Sequence, residues 1–408
     1  MARAGKCYNI ADFERQARRK LPGPLYHYIA GGADDEHTTL ANVRGFDRYD
    51  LRPSYLKDIR SISMRRKVLG RELEWPLVLA PTGMSRLFHK DGEIGVAREA
   101  ARSGVGYSLS TMATASIEDV GVISTGSKMF QLYLLNDEAM NFAMIDRCKA
   151  AGFDALCLTV DTVVPGNRER DLRTGLTVPP RLSPSSLLAF AMRPRWCWGY
   201  LSGGAFSLPN VGGTAGGDLS TLASYFATHM EQNITWASVE RIIQHWGGPF
   251  AIKGIQSARD ARLAASAGAS AVIISNHGGR QLDGVPPTID ILANIADAVG
   301  DRMEVILDGG IRRGSHIVKA LAMGATACMA GRPYLYGLGA YGAPGVRRVL
   351  ALLRAETERT LGLLGCARID ELSRDHIRLA AEIPDFLQQG EPEQRAQIAL
   401  HSSIGKLP

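Results

Sequence analysis

From Trp75 onward, short apolar runs recur along the chain, each followed by a polar or glycine turn and then by a stretch with helical spacing. The runs are Leu77–Ala80, Val105–Leu109, Met129–Tyr133, Ala155–Val160, Phe250–Lys253, Ala271–Ile274, Val305–Leu307 and Ala327–Ala330. They read as strands buried on both faces of a parallel sheet. Between them, residues 93–103, 137–151, 258–267 and 315–323 place good helix formers at helical spacing. Eight β-then-α units in one domain predict an α/β fold, a closed (β/α)8 TIM barrel. A doubly wound open sheet is the alternative, weakened by the missing G-x-G-x-x-G after the first strand. Residues 9–45 read as a polar, helical segment ahead of the barrel. The pattern is interrupted after strand four, from Thr162 to about Trp236. The expected organisation is an N-terminal helical segment over 1–75, a barrel over 76–385 with an insertion at 162–236, and a C-terminal tail over 386–408.

A barrel of this kind gathers its chemistry at the C-terminal ends of its strands. Those ends read Ala80-Pro81-Thr82-Gly83, Ser110, Gln131 with Tyr133, and Thr159 with Asp161. Then follow Lys253, Ser275 with His277 and Arg280, Asp308-Gly309-Gly310, and Gly331-Arg332. Every strand thus brings a hydrogen-bonding group to one mouth. The densest stretch is Ser275 to Asp283. His277 can move a proton near neutral pH, and the fork of Arg280 can clamp a carboxylate in two parallel bonds. A base three residues from such a clamp suits chemistry at the carbon next to a carboxyl group. Taken alone, the stretch also reads as a glycine turn with a solvated arginine; the other strand ends weigh against that. The Asp308 to Gly314 segment and Gly331-Arg332 follow adjacent strands, where barrels hold phosphate with backbone N–H groups and a helix N-terminus. Lys253 closes an apolar strand, a costly place for a cation unless it meets an anion. Gln131, Thr159 and Ser110 supply the neutral donors and acceptors that the edge of a heteroaromatic ring needs.

Composition narrows the partners. The 408 residues carry a net charge of +6 without any Lys/Arg block, which suits a small anionic substrate or an acidic surface and argues against nucleic acid. Six scattered cysteines show no metal-binding spacing and read as core thiols of a reducing compartment, so no metal is expected. The first residues hold no apolar core of a secretory signal, and no apolar run reaches the roughly 18 residues of a membrane span.

Pro81-Thr82, Phe130–Tyr133, Leu158–Asp161, Ile252–Gly254, Ser275–Asp283, Asp308–Gly314 and Gly331–Pro333 follow one another in a match running from about Tyr8 to about Leu379. In these motifs the chain resembles the FMN-dependent α-hydroxy-acid dehydrogenase/oxidase family, which includes glycolate oxidase, L-lactate dehydrogenase and (S)-mandelate dehydrogenase. The resemblance implies FMN, with its phosphate at Asp308, Gly309, Gly310, Arg312, Gly331 and Arg332. The ring is then expected against Ala80, Pro81, Thr82, Ser110, Gln131, Thr159 and Lys253, with Ser275 also at the cofactor. A 2-hydroxy carboxylate is expected on Arg280 and on Tyr28 of the N-terminal segment, with Arg168 as a second cation. Tyr133 is implied as donor to the hydroxyl oxygen and His277 as the base, taking a proton from carbon or from the hydroxyl. Asp161 is implied as the partner that raises the pKa of His277, and Lys253 as the cation beside the reduced flavin; the product is a 2-oxo acid.

Two departures bear on specificity. Gly83 stands where glycolate oxidases of that family carry Ala, and Met112 where they carry Trp. Both open space, which favours a larger 2-hydroxy acid and a slower reaction with oxygen. The expectation is an enzyme of L-lactate dehydrogenase type that passes electrons to quinone or another membrane carrier. An (S)-mandelate dehydrogenase and a peroxide-forming oxidase are the alternatives. Outside that reading stand a flavin-dependent isomerase of a phosphorylated substrate and a non-catalytic flavin-binding barrel; the latter is expected to have lost a member of the set, and none is missing. The resemblance further implies a homo-oligomer, a tetramer. Within the insertion, Leu172 to Gly217 holds Arg173, Arg181, Arg193 and Arg195 but no Asp or Glu. It also holds Leu187–Met192, Trp196, Trp198 and Tyr200. Basic residues flanking apolar and aromatic ones suit the interface of an anionic membrane, and membrane dehydrogenases of the resembled family carry an attachment segment in this loop. Peripheral attachment to the inner face of the cytoplasmic membrane is therefore expected; a lid or a subunit contact is the other reading.

Overall fold

The computed structural model describes residues 4–176, 183–203, 206–211 and 229–380. Arg181, the insertion residues 212–217 and the expected tail 386–408 lie outside the described residues. Eight parallel strands close a barrel: β1 (Leu77–Leu79), β2 (Gly106–Ser110), β3 (Lys128–Leu132), β4 (Ala155–Thr159), β5 (Phe250–Ile255), β6 (Ala271–Ile274), β7 (Glu304–Asp308) and β8 (Ala327–Ala330). Each strand pairs with its neighbours in sequence and β8 pairs with β1, so the expected (β/α)8 architecture is what the chain adopts. The helical stretches read from spacing appear as Gly92–Arg102, Glu138–Ala150, Ala258–Ser266 and Gly314–Ala322.

Alternation along the strands decides what fills the barrel. One buried cluster holds Val78, Ala80, Met129, Ala155, Cys157, Ala251, Ala271, Ile273, Ile306, Ala327 and Met329, the inward positions of seven strands. Val68, Leu69 and Leu73, from the hairpin of Arg66–Val68 with Arg71–Leu73, join that cluster. One more step of two residues along each strand reaches Gln131, Thr159, Lys253, Ser275, Asp308 and Gly331. The site residues are the top layer of the barrel core. Register confirms the level: Ser110 lies opposite Gln131, and Thr159 opposite Lys253.

The N-terminal segment is three helices, Ile10–Lys20, Gly23–Ala30 and His37–Arg44, rather than one continuous run. Pro22 interrupts it first, and the chain runs non-helically from Gly31 to Glu36. It is tied to the far end of the described chain, where Tyr49–Leu51 pairs antiparallel with Ile377–Leu379. In the insertion, helix Pro184–Ala191 lies against helix Gly23–Ala30, and helix Pro194–Leu201 lies against the loop after β1. Trp196 Nε1 donates to the carbonyl of Leu87 at 2.8 Å, and Arg193 Nε donates to that of Leu21 at 3.3 Å. Among the described residues no helix is long and apolar enough to cross a membrane.

Candidate active site

Three groups of the top layer form a buried chain of bonds. Lys253 Nζ lies 3.0 Å from Asp308 Oδ2 and donates to Ser275 Oγ at 2.9 Å, while Ser275 Oγ donates to the same Asp308 oxygen at 2.8 Å. Burial alone pushes the Lys253 ammonium down, but Asp308 and Asp161 lift its pKa well above the ordinary value. Burial pushes the Asp308 carboxyl up, and Lys253 brings it net below its usual value. Both groups are therefore charged, each offsetting the desolvation of the other. Directly after Lys253 the β5–β6 register shifts at Gly254, whose φ is +106°. A Cβ there would stand 2.8 Å from that of Asp161, so the glycine lets the Asp161 loop close onto the strand.

His277 follows β6 with φ +56°, and Gly278 and Gly279 continue in the same left-handed region. This turn swings the imidazole back over the mouth. Its Nδ1 lies 3.0 Å from Asp161 Oδ1, which leaves Nε2 as the ring nitrogen without a partner among the described residues, and the side chain lines the central cavity. Burial holds the pKa of His277 below its ordinary value; Asp161 pulls it upward without overcoming that. The upward pull expected of Asp161 is present, and desolvation outweighs it. The Asp161 carboxyl is pushed up by burial yet held net low by His277 and Lys253, so it stands as a carboxylate. Gln281 Nε2 donates to the Asp161 carbonyl at 3.0 Å and fixes the loop.

Arg280 is buried. Both its hydrogen bonds leave from Nη1, to the carbonyls of Tyr28 (2.6 Å) and Gly31 (3.0 Å), so Nε and Nη2 remain for an anion. Its guanidinium carbon sits 4.9 Å from the centre of the Tyr28 ring. Arg168 donates to the Arg280 carbonyl at 3.3 Å and to Gln281 Oε1 at 3.1 Å, which brings it to the same cavity. Burial lifts the pKa of Tyr133 to about 12, so its phenol keeps its proton and can donate. The cavity that all of these line, about 540 Å³, also touches Ala80, Pro81, Thr82, Ser110, Lys253, Asp308, Gly309, Gly310, Arg312, Gly331 and Arg332.

Two features show that a flat heteroaromatic ring fits. Ser110 Oγ donates to Gln131 Oε1 at 2.9 Å, fixing the amide so that Gln131 Nε2 is left buried without a partner. Thr159 Oγ1, one strand away, is orphaned in the same manner. Buried polar atoms are rarely left so, and the edge of a flavin offers the acceptors and donors they lack. At the other end, helices Gly314–Ala322 and Arg332–Tyr341 begin beside Gly310 and Gly331, the backbone arrangement that receives phosphate. Among the described residues the Arg312 guanidinium has one bond, to the carbonyl of Ile311 at 2.8 Å. Arg332 differs: its guanidinium is committed to three backbone carbonyls, those of Ile29 (3.0 Å), Gly278 (2.8 Å) and Gly31 (2.9 Å). At this position it is the backbone N–H that is left for a phosphate.

Sequence reasoning missed several cavity residues. Asp171, 7% exposed, lines the cavity beside Arg168 and Arg280, and burial raises its pKa. Its place one turn after Arg168 in Arg168-Glu169-Arg170-Asp171 was the available signal. Met84, Leu176, Met230 and Gln232 also line the cavity. Met230 reaches it because the chain returns from the insertion to pair with Leu135, a contact nothing in the local sequence announces.

The sequence profile of the FMN-dependent dehydrogenases matches residues 17–379. Glycolate oxidase 3 of Arabidopsis thaliana is 38% identical over 379 residues, covering 93% of this chain and 98% of the relative. A putative L-lactate dehydrogenase of Mycobacterium tuberculosis is 38% identical over 376 residues, covering 92% and 90%. Among solved structures, the monotopic membrane protein (S)-mandelate dehydrogenase superposes with a TM-score of 0.88 at 35% identity, covering 92% of this chain and all of that one. Barrel, site and relatives together define a flavoprotein oxidoreductase. The chain belongs to the FMN-dependent dehydrogenase family, with FMN as its cofactor and small 2-hydroxy acids as the family's substrates.

Proposed function

We propose that the chain oxidises an L-2-hydroxy acid to the 2-oxo acid as a dehydrogenase of the L-lactate type, handing the electrons to quinone or another membrane carrier. The observation that carries this reading is the convergence of His277–Asp161, Arg280 and Tyr133 on one cavity whose far side fits a flavin. FMN, when bound, accepts the two electrons. Arg280 receives the substrate carboxylate on Nε and Nη2, with Tyr28 and Arg168 beside it. Tyr133 donates to the hydroxyl oxygen. His277, kept neutral because desolvation holds its pKa down, takes a proton from the substrate on Nε2, and Asp161 supports the imidazolium that results. Lys253 is a fixed positive charge beside the flavin that needs no reorganisation during the reaction. The test is anaerobic bleaching of the bound flavin by a panel of 2-hydroxy acids. L-lactate is expected to bleach it, and no bleaching by any member would remove the reading.

One observation favours a second, bulkier substrate. Met84, Phe88, Met112, Leu172, Leu176 and Met230 give the cavity an apolar wall. An aryl or long-chain 2-hydroxy acid, as in the mandelate branch, would fill it, and bleaching by mandelate faster than by lactate would select that reading.

Peripheral membrane attachment is part of the proposal. Leu187, Leu188, Met192, Trp198 and Leu201 are each more than half exposed on the two insertion helices, whereas Phe190, Trp196 and Tyr200 pack inward. The segment is thus at once a packed cover and an exposed apolar face. Changing Leu187, Leu188 and Trp198 to Gln is expected to abolish binding to phosphatidylglycerol vesicles and to spare flavin reduction. The parent staying unbound at low salt would end the idea. A homotetramer is proposed on the family likeness alone, and its mass in solution tests it.

A further inference from the structure

Helix Gly23–Ala30 ends at the barrel mouth with its last carbonyls facing two arginines. A helix C-terminus leaves four carbonyls without intrahelical donors and carries the negative end of the helix dipole. Arg280 takes the carbonyls of Tyr28 and Gly31. Arg332 takes those of Ile29 and Gly31 and extends a third bond to Gly278, in the turn that carries His277. Two cations from distant strands therefore share the Gly31 carbonyl. The helix they hold supplies the Tyr28 ring that lies under the Arg280 guanidinium.

We infer that Arg332 is a positioning residue of the substrate site: it pins the end of helix Gly23–Ala30 and the Gly278 turn together, so that Tyr28 and Arg280 stay in place. Its guanidinium is fully used by this task, with Nε, Nη1 and Nη2 each on a different carbonyl. Without it, the Gly278 carbonyl would keep only the bond from Thr39 Oγ1 at 3.2 Å, and the Ile29 carbonyl would lose its guanidinium donor. Arg280 would then be the one guanidinium left on the helix end, through a single nitrogen, with the Ala33 N–H bond to the Gly279 carbonyl at 2.8 Å as a remaining tie to the turn. The phosphate end and the carboxylate end of the cavity are mechanically joined through this residue. The inference rests on the proposed function only for the position of the substrate carboxylate; the contact itself is independent of it.

The test uses full-length holoenzyme with FMN in saturating excess, as the parent and as the Arg332→Lys, Arg332→Gln and Arg312→Lys variants. Lysine offers a point charge in place of a fork and cannot reach three carbonyls. Hydrogen exchange over residues 23–33 is expected to quicken by about tenfold or more in both Arg332 variants, the scale of a lost buried hydrogen bond. With the same samples, KM for the best 2-hydroxy acid is expected to rise about tenfold while kcat moves less than about threefold, as for a loss of uniform binding. Arg312→Lys is expected to loosen FMN and leave the exchange of this helix at the parent rate. Parent-like exchange over 23–33 in the Arg332 variants would overturn the inference, whatever happened to FMN. If neither Arg332 variant folds, Gly278→Ala serves instead, because its Cβ would come within 2.8 Å of Arg332 Nη1. It is expected to quicken the same peptide, and parent-like exchange there would likewise overturn the inference. Should no 2-hydroxy acid react with the parent, the proposed function fails while the exchange measurement still stands.

Discussion

The wall of the cavity built by β4 to β7 is a set of buried charges in fixed contact, whereas the wall built by the loops after β1 and β2 and by the insertion is a set of flexible apolar side chains. Lys253, Asp308, Ser275, His277 and Asp161 hold one another at 2.8 to 3.0 Å. Met84, Met112, Leu172, Leu176 and Met230 have no polar constraint on their direction. A charge network tolerates few substitutions because each member leaves another unpaired, while methionine and leucine repack at modest cost. On the proposed function, the difference assigns the chemistry to the strands and the choice of substrate to the loops. It predicts that damage to the first wall is large and uniform across substrates, and damage to the second small and selective.

The largest expected effect is His277→Gln, which should keep FMN yet slow flavin reduction by at least about 100-fold for every acid tested. A substrate-dependent loss would break the comparison at its centre. Lys253→Met should cost about 100-fold in reduction and about 3 to 5 kcal/mol in unfolding free energy, because Asp308 is left as an unpaired buried charge. Denaturant unfolding beside stopped-flow reduction separates the two losses.

A pH profile sharpens the account of the same wall. The pKa of His277 lies below its ordinary value of 6.5, so the acid limb of kcat/KM should fall below pH 6.5. Asp161 raises that pKa, so Asp161→Asn should move the limb to still lower pH while reducing the plateau. A shift to higher pH would contradict the assigned pairing. On the apolar wall the effects should be several-fold at most. Leu176→Ala should raise KM for aryl or long-chain acids and leave that for lactate nearly unchanged. Gly83→Ala is less simple than added bulk in open space. Its Cβ would come 2.7 Å from that of Met112 and within 3.1 Å of the Met112 carbonyl, so the two loops must move apart. A few-fold change in substrate ranking is expected, and an unchanged ranking would take position 83 out of specificity.

Most of the barrel was legible because its strands are buried on both faces and so read as unbroken apolar runs. Ala271–Ile274 and Ala327–Ala330 have the boundaries the pattern predicts, and β1 to β5 and β7 differ by a residue or two. The short pairs Tyr49–Leu51 with Ile377–Leu379 and Arg66–Val68 with Arg71–Leu73 were not legible, being half exposed and three residues long. The polar candidates were visible for a simple reason: a lysine, a glutamine or an aspartate ending an apolar run has a cost that calls for an explanation. What local sequence could not give was parity. Lys253, Ser275 and Asp308 meet because all three stand at inward positions of neighbouring strands. The three-carbonyl bond set of Arg332 and the arrival of Met230 depend on chain returns that leave no mark near either residue.

The two arginines that hold helix Gly23–Ala30 stand some 250 and 300 positions after it in the chain, the separations of the bonds being 252 for Arg280 to Tyr28 and 303 for Arg332 to Ile29. During synthesis the helix is made early and waits for most of the barrel before its open end is covered. Contacts this remote in sequence form late, after loop closure has been paid for by nearer ones. The mouth is therefore expected to assemble late, before only such pairings as Tyr49–Leu51 with Ile377–Leu379, and a nascent chain short of Arg332 has no finished place for FMN or substrate. Loading with cofactor then waits until the chain has passed Arg332, and a chain cut before that residue is expected to leave the ribosome colourless.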